Sequence, residues 1–375
     1  MEIGIPRERL SREHRVALTP SGVKTLVQRG HRVWIETGAG VEAGYPDADY
    51  ESAGAAIAFN RMEPFARAGL LACVHAPDPR EYELLQPGQV VFAFWALPAA
   101  RPEDLWVLQS REVTAVGLEA IEDEQGRAPV LTSMSEIAGG LAPLIGGTLL
   151  LNEQGGKGIL LGGAPGVPSA SFVVIGAGVL GCAAARAAVG LGAQVTLLDI
   201  SIERLREAGR ELDQRAPTLV ATRPNIEKAL AFADLALIAA AVHGQRAPRI
   251  VTRDMLRLMK PRSVIMDLAI DMGGGCETSR PTEFPNPVYE VDGIRHFCVP
   301  NLPSVVARSS TLALTNAALP YLQAIADEGL EPALLDRAEL RRGTYLYRGR
   351  AARESLARAF NLPYEPLPGA GAGRA

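Results

Sequence analysis

Lysine is nearly absent from this 375-residue chain: of 38 basic residues only Lys24, Lys157, Lys228 and Lys260 are lysines, and the rest are arginine. Any chemistry that needs a lysine amine therefore has four candidates. Cysteine is as sparse. Cys73, Cys182, Cys276 and Cys298 are scattered through apolar runs and glycine turns without metal-type spacing, which excludes a disulfide scaffold and points to reduced thiols in a cytosolic protein. Charge of either sign is not concentrated: 42 acids stand against 38 bases, a net of -4. No basic block could track a phosphate backbone, so nucleic acid is excluded as a partner. No apolar run reaches the roughly 20 residues that span a bilayer, and the opening MEIGIPRERL lacks a signal-peptide pattern. The expectation is a cytoplasmic chain with no membrane partner.

What is present is enough for two domains, since 375 residues exceed one ordinary domain and 47% hydrophobic residues supply two cores. Residues 172–199, FVVIGAGVLGCAAARAAVGLGAQVTLLD, carry the most information. An apolar run, Phe172 to Ile175, ends in Gly176, Gly178 and Gly181, passes into an alanine-rich helical segment, and returns as a second apolar run closed by Asp199. The first glycine permits a tight turn, the second lets a pyrophosphate approach bare backbone, and the third lets helix and strand pack closely. A helix starting near Val179 would then hold the pyrophosphate at its amino end. Asp199 can accept from both adenosine ribose hydroxyls and would repel a 2′-phosphate, so the expected cofactor is NAD rather than NADP.

The first 125 residues form a second βα array. Strand-like runs are Glu2 to Ile5, Arg32 to Glu36, Leu70 to Val74, Val90 to Trp95 and Val113 to Leu118, with a helix capped by Thr19 and opened by Pro20. Ser133 to Leu151 reads as a long connecting helix and 153–170 as loop. The nucleotide unit continues through a helix at Ile202 to Leu212 and strands near Leu219 to Thr222, Asp234 to Ala239, Ser263 to Leu268 and His296 to Val299. From Ser309 the pattern is helical, ending in a GAGAGRA tail. The fold class is α/β, two Rossmann-like domains with parallel sheets, and ligands in such sheets gather at the carboxyl ends of strands. The cleft between the two units is the expected active site.

The opening IGIPRERLSREHRVALTPSGVKTLVQRGHRVWIETGAG, MSEIAG at Met134 to Gly139, GGKGILLGGAPGVP, the GAGVLG turn, DLAIDMGGGCETSRPT, CVPNLP and LTNAALPY resemble the alanine dehydrogenases and the related transhydrogenase NAD-binding subunits, in order along essentially the whole chain. The resemblance implies a substrate domain of 1–128 plus 305–375, an NAD domain of 129–304, a small amino acid or 2-oxo acid as substrate, and a homo-oligomer, hexamer or dimer. It also implies roles at matching positions. Arg15 would hold the substrate carboxylate, a task suited to a guanidinium fork. Ser135, Asp199, Asp271 and Asn301 would line the dinucleotide and the reacting centre. From its own residues Asp271 could equally cap a turn in IDMGGG.

The departures from the family pattern fall at the chemistry. Where relatives carry a substrate-binding lysine this chain has His75, and where they carry a general acid/base histidine it has Ala96. Gly140 replaces a usual arginine and Leu144 a usual glutamine. Positioned acid/base groups contribute roughly 10²–10⁴ in rate, so alanine deamination should be impaired. Two readings follow. Either the chain is a hydride-transfer enzyme of altered substrate, with His75 handling the proton as an imidazole can near neutrality, or it binds NAD and does little redox chemistry in a regulatory or accessory role. His14, His31, His243 and His296 are read as structural.

Overall fold

The computed structural model describes residues 1–240 and 247–367; His243 lies outside the described residues. The chain divides into two compact units, Met1–Met134 with the chain from Pro303 onward, and Ser135–Leu302. It passes from the first to the second within one long helix, Pro129–Leu149.

In the first unit the parallel strands are β1 (Glu2–Ile5), β2 (Arg32–Glu36), β3 (Ala56–Ala58), β4 (Leu70–His75), β5 (Val90–Phe94) and β6 (Thr114–Gly117). They lie in the order β3-β2-β1-β4-β5-β6, and an antiparallel pair from the C-terminal region, Thr344–Tyr347 and Arg350–Ala351, extends the sheet beyond β6. The helix between β1 and β2 forms because Thr19 caps it, its side chain accepting from Gly22 N, and Pro20 opens it with a preset φ. The core of this unit, including Leu71, Val91, Ala115, Tyr345 and Leu346, seats the added strands on the sheet.

The second unit holds β7 (Ser171–Ile175), β8 (Gln194–Asp199), β9 (Thr218–Val220), β10 (Leu235–Ile238), β11 (Val264–Asp267), β12 (Val288–Val291) and β13 (Ile294–Phe297). Their order is β9-β8-β7-β10-β11-β13-β12, all parallel except the β12/β13 pair. The continuous apolar strands are explained by burial on both faces. Phe172 and Val174 enter one core while Val173 and Ile175 enter the other. In each unit the strand order reverses between the first and fourth strands, which places the expected ligand sites at the ends of β1 and β4 and of β7 and β10.

Several elements differ from the sequence reading. β3, β12 and the C-terminal strand pair were not expected, and the connecting helix begins at Pro129 rather than Ser133. The four cysteines are free and buried.

Candidate functional site

In the second unit each glycine of the turn has a distinct steric reason to be glycine. Gly176 sits at φ 115, and a Cβ there would meet the backbone of Ala239 and Ala240 at 2.7 Å. A Cβ on Gly181 would stand 1.8 Å from Gly176 O, so helix and strand approach at a distance only glycine allows. Around Gly178 a Cβ would meet nothing within 4 Å, leaving bare backbone open to a ligand. The helix Val179–Gly190 starts there with no side-chain cap and no acid in its first turn, and Val179 is exposed. An uncapped amino end of a three-turn helix suits a pyrophosphate. At the end of β8, Asp199 is buried; its Oδ2 accepts from Ala177 N at 2.7 Å and its Oδ1 from Ser201 N at 2.8 Å. The carboxylate thus also fixes the glycine turn, and its remaining lone pairs suit ribose hydroxyls. Beside it Ile200 and Ile202 are 82% and 61% exposed, apolar surface of the kind a flat adenine covers. The residues fit NAD. Sequence reasoning passed over the two isoleucines because nothing in the pattern distinguishes them from buried ones.

At the switch point of the first unit, the loop after β1 and the end of β4 bring four ionisable groups together. Arg15 is buried and forms a two-pronged pair with Glu13, Nε donating to Oε1 at 2.7 Å and Nη2 to Oε2 at 2.6 Å. His75 Nε2 lies 2.8 Å from Glu13 Oε2 and 3.3 Å from Arg15 Nη2. Burial would raise Glu13, but the hydrogen bonds from Arg15 and His75 prevail and hold its carboxyl far below the usual carboxylate range. Glu8 accepts from Val74 N at 2.7 Å and His75 N at 3.2 Å. Burial nevertheless pushes Glu8 up to about 7, with His75 opposing and Glu13 adding to the rise. Arg15 and His75 were expected; Glu8 and Glu13 were missed. Their signal was proximity to Arg15 in one charged loop, which has no periodicity to read.

Ala96, two residues past the strand position that pairs with His75, is exposed at φ 47, and its amide donates to Glu119 Oε1 at 2.8 Å. It offers no titratable atom. Arg15 Nη1 also lies 3.2 Å from Met134 Sδ. In the second unit Ser135 is half-buried on the long helix. Asp271 and Asn301 are adjacent, Asn301 N donating to Asp271 Oδ2 at 3.5 Å. In the same glycine-rich segment the carboxylate of Asp267 accepts from Ala269 N, Gly275 N and Cys276 N. A Cβ at Gly140 would meet nothing within 4 Å, and Leu144 is exposed. None of the chain's four lysines belongs to this cluster. Lys24 and Lys228 are exposed on helices, and Lys157 and Lys260 both bind Asp234, which precedes β10 at the end of the sheet opposite the glycine turn. His31 pairs with Asp327, His14 with Glu42, and His296 is buried against Thr278 and Tyr289.

Comparison with known proteins adds three findings. Residues 4–138 match the family described as "Alanine dehydrogenase/PNT, N-terminal domain" and residues 142–354 its C-terminal counterpart. The chain is 41% identical over 367 residues to an alanine dehydrogenase of Methanococcus maripaludis, covering 98% of both, and 44% identical over 364 residues to one of Halomonas elongata, covering 97% of this chain and 98% of the relative. Among solved structures it is similar to an L-alanine dehydrogenase, TM-score 0.92 at 41% identity over 96% of this chain and 99% of that one. It is also similar to a transhydrogenase from Sinorhizobium meliloti, TM-score 0.79 at 27% identity over 95% of this chain and all of that one.

Proposed function

The chain belongs to the alanine dehydrogenase/PNT family, and from that membership we propose that it is an NAD(H)-dependent oxidoreductase acting on a small amino acid and its 2-oxo acid or imine, with a substrate other than alanine. NAD, when bound, supplies the hydride acceptor or donor. The chain's own residues bind and orient the acid and handle the proton. The observation that carries this reading is the contact of His75 Nε2 with both Arg15 and Glu13 at the strand switch point, which seats a proton-carrying group beside the carboxylate anchor. Ala96 removes the bulk and the proton of the family histidine, which supports a larger side chain on the substrate. Arg15 would hold the substrate carboxylate, and Asp271 and Asn301 would line the reacting centre. Assembly as a homo-oligomer, hexamer or dimer, and a cytoplasmic location belong to the same proposal.

The test is NADH oxidation against a panel of 2-oxo acids, with and without ammonia or primary amines. Turnover that falls at least a hundredfold in His75→Ala and is unchanged in Lys24→Ala is expected. A second reading is favoured by the two-pronged Glu13 pair on Arg15 and by the inert Ala96: a chain that binds NAD but has lost the reaction. Calorimetric binding of NADH with no acid reduced at high protein concentration would establish that reading instead.

A further inference from the structure

Glu13 lies within reach of both His75 and Arg15, and that shared contact dictates which imidazole nitrogen can exchange a proton. The pairing with Arg15 keeps Glu13 ionised, so both of its oxygens only accept. A ring nitrogen 2.8 Å from such an oxygen must carry a hydrogen, since two lone pairs at that distance would repel. Arg15 cannot reverse this, because a guanidinium has no acceptor atom; Nη2 and Nε2 are two donors converging on Glu13 Oε2. His75 Nδ1 has no hydrogen-bond partner among the described residues, and the side chain is 28% exposed. The charged or titratable groups facing the ring are Glu8, Glu13 and Arg15, all from the loop after β1, while β5 contributes the ring of Phe94 at 6.4 Å.

We propose that Glu13 is a positioning residue that fixes His75 as the Nε2–H tautomer, leaving Nδ1 as the atom at which this chain takes and returns the substrate's proton. The proposal deepens the function argued above and rests on it only for the proton's origin. In the oxidative direction a proton leaves the substrate nitrogen, the N–H electron pair stays with the substrate, and the Nδ1 lone pair forms the new N–H bond. The imidazolium so formed carries a hydrogen on each nitrogen, its Nε2–H still held by Glu13. In the reductive direction the Nδ1–H bond breaks, its electrons remain on the ring and the proton returns. The arrangement is a carboxylate–imidazole dyad of the kind that orients a general base elsewhere. It substitutes a proton carrier for the fixed cation of the family's lysine.

The experiment is nitrogen NMR of the full chain labelled at histidine, with the His75 signals assigned by their loss in His75→Gln, recorded across pH with and without NADH. Expected is a neutral imidazole protonated at Nε2, whose Nδ1 signal alone moves between unprotonated and protonated positions. An Nδ1–H tautomer overturns the proposal. This measurement needs no variant at Glu13, where loss of the partner of a buried arginine could prevent folding. Where Glu13→Gln does fold, the tautomer should become mixed, the pH profile of kcat/KM should shift, and kcat should fall at least tenfold with a smaller change in KM. An unchanged tautomer and profile would overturn the proposal. The predicted tautomer in a protein that reduces no acid retains the dyad and sinks the enzymatic reading. Turnover with the opposite tautomer does the reverse.

Discussion

His75 and Ala96 stand where the family resemblance implies a lysine and a histidine, and the backbone at Ala96 bears on that departure. Ala96 lies at φ 47, in the left-handed region, which costs an alanine roughly 1 kcal/mol and which histidine enters more readily than most side chains. The conformation thus suits the residue that is missing. The double variant His75→Lys, Ala96→His should therefore gain alanine-dependent NAD reduction by about 10²–10⁴ over the unmodified chain, the range a positioned acid/base group contributes. No gain in initial rate would show that the site has changed beyond these two positions. Glu8 supports a second prediction. Its folded value, about 7, lies above its ordinary 4.5 because burial disfavours the charge. Its stabilising contribution is complete below the ordinary value and is lost as pH rises through about 7. Glu8→Gln cannot ionise, and whatever its fixed cost at the Val74 and His75 amides, its stability relative to the unmodified chain should rise between pH 5 and 8, by a difference of order 1 kcal/mol. Urea unfolding at several pH values measures this. A difference independent of pH would mean that Glu8 is ionised throughout.

Among the elements, the glycine turn and its helix were legible because each requirement is local: a strand, a turn of fixed length, a helix, and an acid closing the next strand. The turn is also the least tolerant element. With a Cβ 1.8 Å from Gly176 O, Gly181→Ala must push the helix away from β7. It should weaken NADH binding at least tenfold and destabilise the chain by about 1–3 kcal/mol, the usual cost of overpacking. Calorimetry and thermal unfolding would read both effects, and unchanged affinity would remove the close helix–strand approach from the account. The hairpins were equally local and were still missed. Asp292-Gly293, both at positive φ, join β12 to β13, and Arg348-Gly349 join the two C-terminal strands in the same way. Asp-Gly between apolar segments is a strong two-residue turn signal. The strands on either side are only two to four residues long, too few for alternation to register. The Glu8, Glu13, Arg15 and His75 cluster was illegible for a different reason. It depends on β1 pairing with β4 across 67 residues, Ile3 opposite Leu70, and no local pattern encodes that register.

At the scale of the whole molecule, the order of the first five strands is the same in both units, yet the features that suit a dinucleotide stand in one of them. The acid that closes the second strand is Asp199 in one and Glu36 in the other. Asp199 is held by two backbone amides and retains lone pairs for a ribose. Glu36 is instead held by one backbone amide and two guanidinium groups: Arg7 N donates to it at 2.8 Å, Arg9 Nη2 at 3.2 Å and Arg61 Nη1 at 2.9 Å. After β1 the chain runs through Pro6 and the charged loop to Thr19 before a helix begins, so no helix amino end lies directly beyond that strand to receive a phosphate. Two similar sheets should accordingly bind one NADH per chain rather than two. Titration calorimetry on the purified protein should give a stoichiometry near one. Gly181→Ala should weaken that single event without revealing another, while Glu36→Gln should leave it unchanged and lower stability by weakening the contacts of Arg9 and Arg61, the latter still held by Glu81. Two equivalents of NADH per chain, or binding lost with Glu36, would mean that the repeated strand order carries a repeated function.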